Sequence, residues 1–220
     1  MERQWDMQEV SDGKRYSAND MVRLGCQDCS GCSACCRDMG QSIVLDPYDI
    51  YQLEGALGWS FEQMLAKCLE LNVVDGIILP NLQMKAGREH CFFLNTEGRC
   101  TIHESRPGFC RLFPLGRIYE NGSFDYFLQV HECKKTNRSK VKINKWLGIP
   151  DLKAYEAFIS RWHYYLKDLQ KEIRTCGDPQ RVKAISMQVL QTFYVQPYDL
   201  STSFYMQFDE RLYNKSEPSG

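Results

Sequence analysis

The stretch CQDCSGCSACC, residues 26–36, sets five cysteines into one short run: Cys26, Cys29, Cys32, Cys35 and Cys36. Cys-x-x-Cys spacing recurs within it. A tight turn brings two sulfurs so spaced to the same side of the chain, where both can close on one ion. Gly31 lends backbone freedom inside the run. Cys35 and Cys36 are neighbours, and consecutive side chains point in different directions. The pair therefore either reaches two centres or divides its roles between ligand and packing. Downstream the chain returns four more cysteines, Cys91, Cys100, Cys110 and Cys133, so that nine of the eleven fall in two groups. Thiolate sulfur at that density points to soft-metal ligation.

Disulfides are the competing use. The N-terminus, MERQWDMQEV, is charged and polar, without the apolar core or small-residue cleavage site of a secretory signal. No stretch approaches the roughly 20 apolar residues of a membrane helix. These readings place the chain in the cytoplasm, where glutathione keeps thiols reduced, and an odd number of cysteines leaves no pairing that uses them all.

With 220 residues, 43% of them apolar, the chain suits one domain or one domain with an appendage. Its pattern divides it into a polar N-terminal arm (1–24), a cysteine-cluster metal-binding domain (25–148) and a C-terminal helical subdomain ending in a polar tail (149–220). The expected class is α+β: an irregular, metal-stapled domain of short hairpins and helices, followed by an all-helical subdomain. Asp46-Pro47 supplies an N-cap and a first-turn proline for a short helix ending near Gly55 or Gly58. Ser60 and Gln63 form a capping box for the next, whose apolar stripe (Phe61, Met64, Leu65, Cys68, Leu69) makes Cys68 a core residue rather than a ligand. Ile77–Leu79, Leu82–Met84 and Phe92–Leu94 read as strands, with residues 95–98 turning the chain back to Cys100. Leu115–Tyr119 and Phe124–Leu128 form a hairpin about Asn121-Gly122. Asp151 opens a helix with a 3.6-residue stripe stopped by Gly177; Asp178-Pro179 opens another that ends before Pro197, and a third spans Ser201–Tyr213. Cys176, at a helix end, reads as a bystander thiol.

CSGCSACC resembles the signature of the YkgJ-type cysteine-cluster proteins, also known as the CxxCxxCC zinc- or iron-chelating family. CFFLNTEGRCTIHESRPGFCRLFP, residues 91–114, resembles that family's second signature, and a last cysteine follows in His131-Glu132-Cys133. Carried over residue by residue, the resemblance implies Cys29, Cys32, Cys35, Cys36, Cys91, Cys100, Cys110 and Cys133 as metal ligands and leaves Cys26 spare. Flagellin lysine N-methylases, associated with an iron–sulfur cluster, are among the family's members, and this chain is shorter than they are. The resemblance favours an iron–sulfur cluster, 4Fe-4S first, as the cofactor, with zinc the alternative; thiolate sites accept either. Arg106 and Arg111 flank Cys110, where guanidinium groups can offset thiolate charge or serve ordinary ion pairs. His90, His103 and His131 each lie near a candidate cysteine and read as surface or supporting residues.

Other chemistries lack their signatures. No Gly-x-Gly-x-x-Gly follows a strand and no phosphate-binding Gly-Lys-Ser/Thr loop occurs, nor does the cysteine spacing of radical S-adenosylmethionine enzymes. Net charge is −1, which gives no global pull toward nucleic acid or an anionic membrane. The basic run Lys134, Lys135, Arg138, Lys140, Lys142 and Lys145 reads as a solvated loop. Two functional classes stay open. One is a metal- or cluster-binding protein that works with a protein partner. The other is a cluster-dependent group-transfer enzyme with a protein substrate, such as a protein lysine N-methyltransferase.

Overall fold

Residues 7–26, 32–85 and 89–214 are described by the computed structural model of the chain. After a single turn α1 (Met7–Val10), strand β1 (Met21–Gly25) pairs antiparallel with β6 (Ser139–Lys142), Val22 lying opposite Val141. The basic run is thus partly strand. Tyr16 and Tyr126 exchange backbone hydrogen bonds of 2.8 and 2.9 Å, which lays the segment before β1 along the hairpin that contains Tyr126.

Helix α2 (Pro47–Leu57) has the boundaries its residues dictate. Asp46 caps it in a reciprocal box with Asp49, and Gly58 ends it in the left-handed conformation. Ser60 and Gln63 box the start of α3 (Phe61–Lys67) in the same way. The helix stops one residue before Cys68, which is fully buried, as its place on the stripe predicts. Leu69 then begins a strand rather than extending the helix. β2 (Leu69–Val74) pairs with β3 (Ile77–Leu82) about Asp75-Gly76, both at positive φ. Asp-Gly between apolar runs is a strong hairpin signal, but the helical stripe running through Leu69 concealed the first arm. Pro80 lies inside β3, where its carbonyl accepts the Leu45 amide at 2.9 Å. β4 (Leu115–Glu120) and β5 (Ser123–Leu128) pair across Asn121-Gly122, again with positive φ at both turn residues.

Among the described residues, three two-stranded sheets and the helices around them make the class α+β. Short α4 (Gly108–Leu112) and α5 (Ile143–Leu147) precede α6 (Leu152–Cys176), capped by Asp151 and closed by Gly177. At 1.5 Å per residue α6 extends roughly 37 Å and forms the spine. Its Phe158 and Trp162 are buried against Phe193, Phe204 and Phe208, and its Tyr155 against Tyr48. α7 (Pro179–Leu190) runs on into a π-helical turn, Gln191–Val195, and α8 (Phe204–Tyr213) packs back on α6. The β4–β5 hairpin is fastened to α6 at its tip, where Ser160 Oγ donates to the Gly122 carbonyl at 2.7 Å and Tyr164 Oη accepts the Gly122 amide at 3.0 Å. Among the described residues no helix is long and apolar enough to cross a membrane.

Candidate metal centre

Local geometry brings the two cysteine groups together. The early run tightens into a three-residue 3-10 turn, Ala34–Cys36. Its exit lies antiparallel to the later segment: the Cys91 amide donates to the Cys36 carbonyl at 2.8 Å, the Asp38 amide to Glu89 at 2.7 Å, and Arg37 bridges to His90. From Cys91 the chain turns through Asn95 and Gly98 and returns so that Leu94 bridges Cys100. Phe92–Leu94 is a turn with isolated bridges rather than a strand, because the return is too short for a ladder.

Cys110 arrives by another route. It lies on α4, and the start of that helix is anchored to the start of α2: Asp49, 3% exposed, accepts the Gly108 amide at 2.7 Å and the Asp46 amide at 3.0 Å. One carboxylate therefore serves two helix starts. Burial pushes the Asp49 carboxyl up, to about 6, and these amides pull against that rise. Gly108 has no room for a side chain; a Cβ there would collide with the Tyr155 hydroxyl and come within 3.5 Å of Asp49 Oδ1. Cys133 follows β5, and Cys26 directly follows β1.

The outcome is one chamber of about 80 Å³ lined by Cys32, Cys35, Cys36, Cys91, Cys100, Cys110 and Cys133, and by Cys26. Of the candidate ligands, Cys29 alone lies outside the described residues. Cys68 and Cys176 do not line the chamber. Its volume is well below the roughly 300 Å³ at which organic-ligand pockets begin, so its scale suits ions.

The described candidate sulfurs are thiols not joined in disulfides. The hydrogen bond that the Cys35 thiol donates to Cys36, together with burial, pushes that thiol far up; burial pushes up Cys91 and Cys100, and Cys110 still further, with Cys91 and Asp49 adding to it. Cys110 is half-buried and lines the chamber. Among the described residues no three His, Cys, Asp or Glu side chains stand at ion-binding separation. The sulfurs share a chamber but not a coordination sphere. The shared lining is the more telling observation, because ligands that must lose protons close on an ion only as it enters.

The surrounding residues fit a thiolate centre. Arg99, Arg106, Lys134 and Lys135 line the same chamber. The Arg106 Nε is buried without a hydrogen-bond partner among the described residues, so it has a donor to give to an acceptor in the chamber. Arg111 acts elsewhere. Its Nε donates to the Arg106 carbonyl at 2.9 Å and its other nitrogens to the carbonyls of Leu147 and Glu104. The sequence cannot separate these two arginines, since both flank Cys110. His103 lines the chamber, whereas His90 and His131 do not. Asp49 carries no motif; its only sequence signal is its place three residues after an N-cap.

Comparison with known families agrees with this geometry. The model of the family "CxxCxxCC: Putative zinc- or iron-chelating domain" matches residues 28–143, just over half of the chain, which takes in every candidate cysteine and leaves out Cys26. No curated protein and no solved structure matches the chain. From the second cysteine of the run to the start of α5, the chain belongs to the CxxCxxCC family, whose domain is described as zinc- or iron-chelating.

Proposed function

We propose that the protein holds an iron–sulfur cluster, of 4Fe-4S type, or zinc, with Cys29, Cys32, Cys35, Cys36, Cys91, Cys100, Cys110 and Cys133 as the ligand set. The observation carrying this reading is the single chamber that seven of those eight cysteines line. One tetrahedral zinc uses four ligands; a chamber with more thiols than that favours a polynuclear centre or a pair of ions. A bound centre would supply a redox-active or structural staple. The chain's own residues do the rest: Asp49 and the Cys36–Cys91 backbone bond bring the ligand segments together, and Arg106 offers charge and a donor toward thiolate. Its thiols suit a reducing compartment, hence the cytoplasm, and the role is that of a sensor, carrier or scaffold acting through a protein partner.

Anaerobic purification with elemental analysis and a visible spectrum tests this. Iron with acid-labile sulfide and a brown colour identifies a cluster, and colourless protein with stoichiometric zinc identifies the alternative. Protein containing neither overturns both.

A second reading, cluster-dependent group transfer such as protein lysine methylation, rests on a larger cavity that adjoins the chamber and shares Phe113 and Glu132 with it, giving room for a second reactant. Substrate-dependent consumption of S-adenosylmethionine by the loaded protein is its test.

A further inference from the structure

The adjoining cavity measures about 450 Å³, within the roughly 300–1,000 Å³ of small-molecule sites. It lies between α6, the β4–β5 hairpin and the loop leading into α2. Most of its wall is aliphatic and aromatic, Trp162, Leu166, Tyr119 and Phe127 among the residues. Among the described residues Arg117 of β4 is the only lysine or arginine that lines it. Such walls bind an organic body, and the few polar groups among them decide which head group is accepted.

Arg117 has donors to spare. Its guanidinium sits among the hydroxyls of Tyr119, Tyr126 and Tyr155, with Nη2 at 3.3 Å from Tyr155 Oη, while its Nε is buried with no hydrogen-bond partner among the described residues. An arginine stays charged at physiological pH, and a buried donor left without an acceptor is costly. The nearby acids Asp46 and Asp49 feel the Arg117 charge without accepting a hydrogen bond from it, and Glu132 is a further carboxylate in the lining. Asp49 gives its oxygens to the Asp46 and Gly108 amides, and Asp46, which lines the cavity, accepts the Asp49 amide at 2.9 Å. Burial, with the charge of Asp49, pushes the Asp46 carboxyl well above the usual carboxylate range, which weakens it as a counter-ion. Gln170 also lines the cavity; it is 6% exposed, and its carboxamide makes no hydrogen bond to a described residue.

We propose that this cavity binds a small organic monoacid with an apolar or aromatic body. The carboxylate is held by Arg117, the Gln170 carboxamide is available as a further donor, and the body lies against Trp162 and Leu166. A lone guanidinium matches one planar carboxylate, whereas a phosphate dianion calls for more positive charge than the cavity lining carries. The inference does not depend on which metal the sulfur chamber takes or on whether any turnover occurs.

Calorimetric titration of the full chain with hydrocinnamate, hydrocinnamamide and phenylpropylamine tests it. The acid is expected to bind saturably and the neutral amide at least about tenfold more weakly, the effect of losing one charge-assisted contact. Arg117→Gln should bring the acid down to the level of the amide. Leu166→Trp, which fills the cavity, should abolish binding of both without lowering the melting temperature. Should Arg117→Gln fail to fold, the acid-over-amide preference of the native chain and its loss in Leu166→Trp decide the question. No binding of the acid, equal binding of acid and amide, or tightest binding of the amine would overturn the proposal; the last would make Asp46 the selecting group.

Discussion

Adding one methyl group at Gly108 tests how the fold places Cys110. The new Cβ of Gly108→Ala meets the hydroxyl of Tyr155, a residue with no exposed surface, packed between Tyr48 and Phe158 at ring distances of 5.4 and 6.1 Å. Tyr155 cannot swing away, so α4 must shift and carry Cys110 with it. Overpacking of this kind costs about 1–3 kcal/mol, and the entropy gained in replacing glycine returns about 0.4–1 kcal/mol. The net expectation is a loss of about 1.5 kcal/mol, or roughly 3–6 °C in melting temperature at this chain length, together with reduced metal per chain. The cause can be isolated by a double-mutant cycle with Tyr155→Phe, which deletes the colliding oxygen. In that background Gly108→Ala should cost less than about 0.5 kcal/mol and metal content should recover. Thermal melts and metal analysis of the four proteins are sufficient. An undiminished penalty in the Tyr155→Phe background, or full stability and metal in Gly108→Ala alone, would refute the reasoning.

Cys32→Ser and Cys110→Ser should each lose metal and destabilise the front half of the chain, since ligand loss also removes folding free energy; elemental analysis beside a melting curve checks this. Cys68→Ala and Cys176→Ala, outside the chamber, should keep the metal content of the parent. Burial, reinforced by Glu62, pushes the Glu54 carboxyl up to about 7. A folded value above the unfolded one means that the stability this group contributes is complete below the ordinary carboxylate range and is lost as pH rises toward about 7. Glu54→Gln should therefore stabilise at about pH 8, by about 1 kcal/mol once screening at a half-exposed site is allowed for, and change little at about pH 4, as paired denaturant titrations would reveal. Tyr194→Phe removes the buried 3.0 Å hydrogen bond to the Leu45 carbonyl and should cost about 1 kcal/mol, read as a fall of roughly 2–4 °C in melting temperature.

The elements legible in the sequence are those whose ends are decided by a few adjacent residues. Asp46-Pro47 with Gly58, Ser60 with Gln63, Asp151 with Gly177 and Asn121-Gly122 all appear in the structure where their side-chain and backbone chemistry predicts. Leu69–Val74 escaped because its first residue continues a helical stripe, so two local patterns competed and only pairing with β3 resolved them. The β1–β6 sheet escaped for another reason: its strands are separated by most of the cysteine region, and neither is apolar enough to announce itself.

By itself the sequence determined the family of this protein and pointed to soft-metal chemistry, since clustered sulfur at Cys-x-x-Cys spacing is a property of residue type and of a few bonds of backbone. It also determined most of the caps and turns, because a hydrogen bond to a neighbouring amide or a positive φ is settled within four or five residues. Only the tertiary structure decided that Arg106 faces the sulfurs while Arg111 ties carbonyls, that Asp49 holds two helix starts at once, and that Arg117 enters a separate cavity. Those roles depend on which distant segments meet. Such meetings follow from packing the α6 stripe against the hairpins, and no local pattern along the chain encodes them.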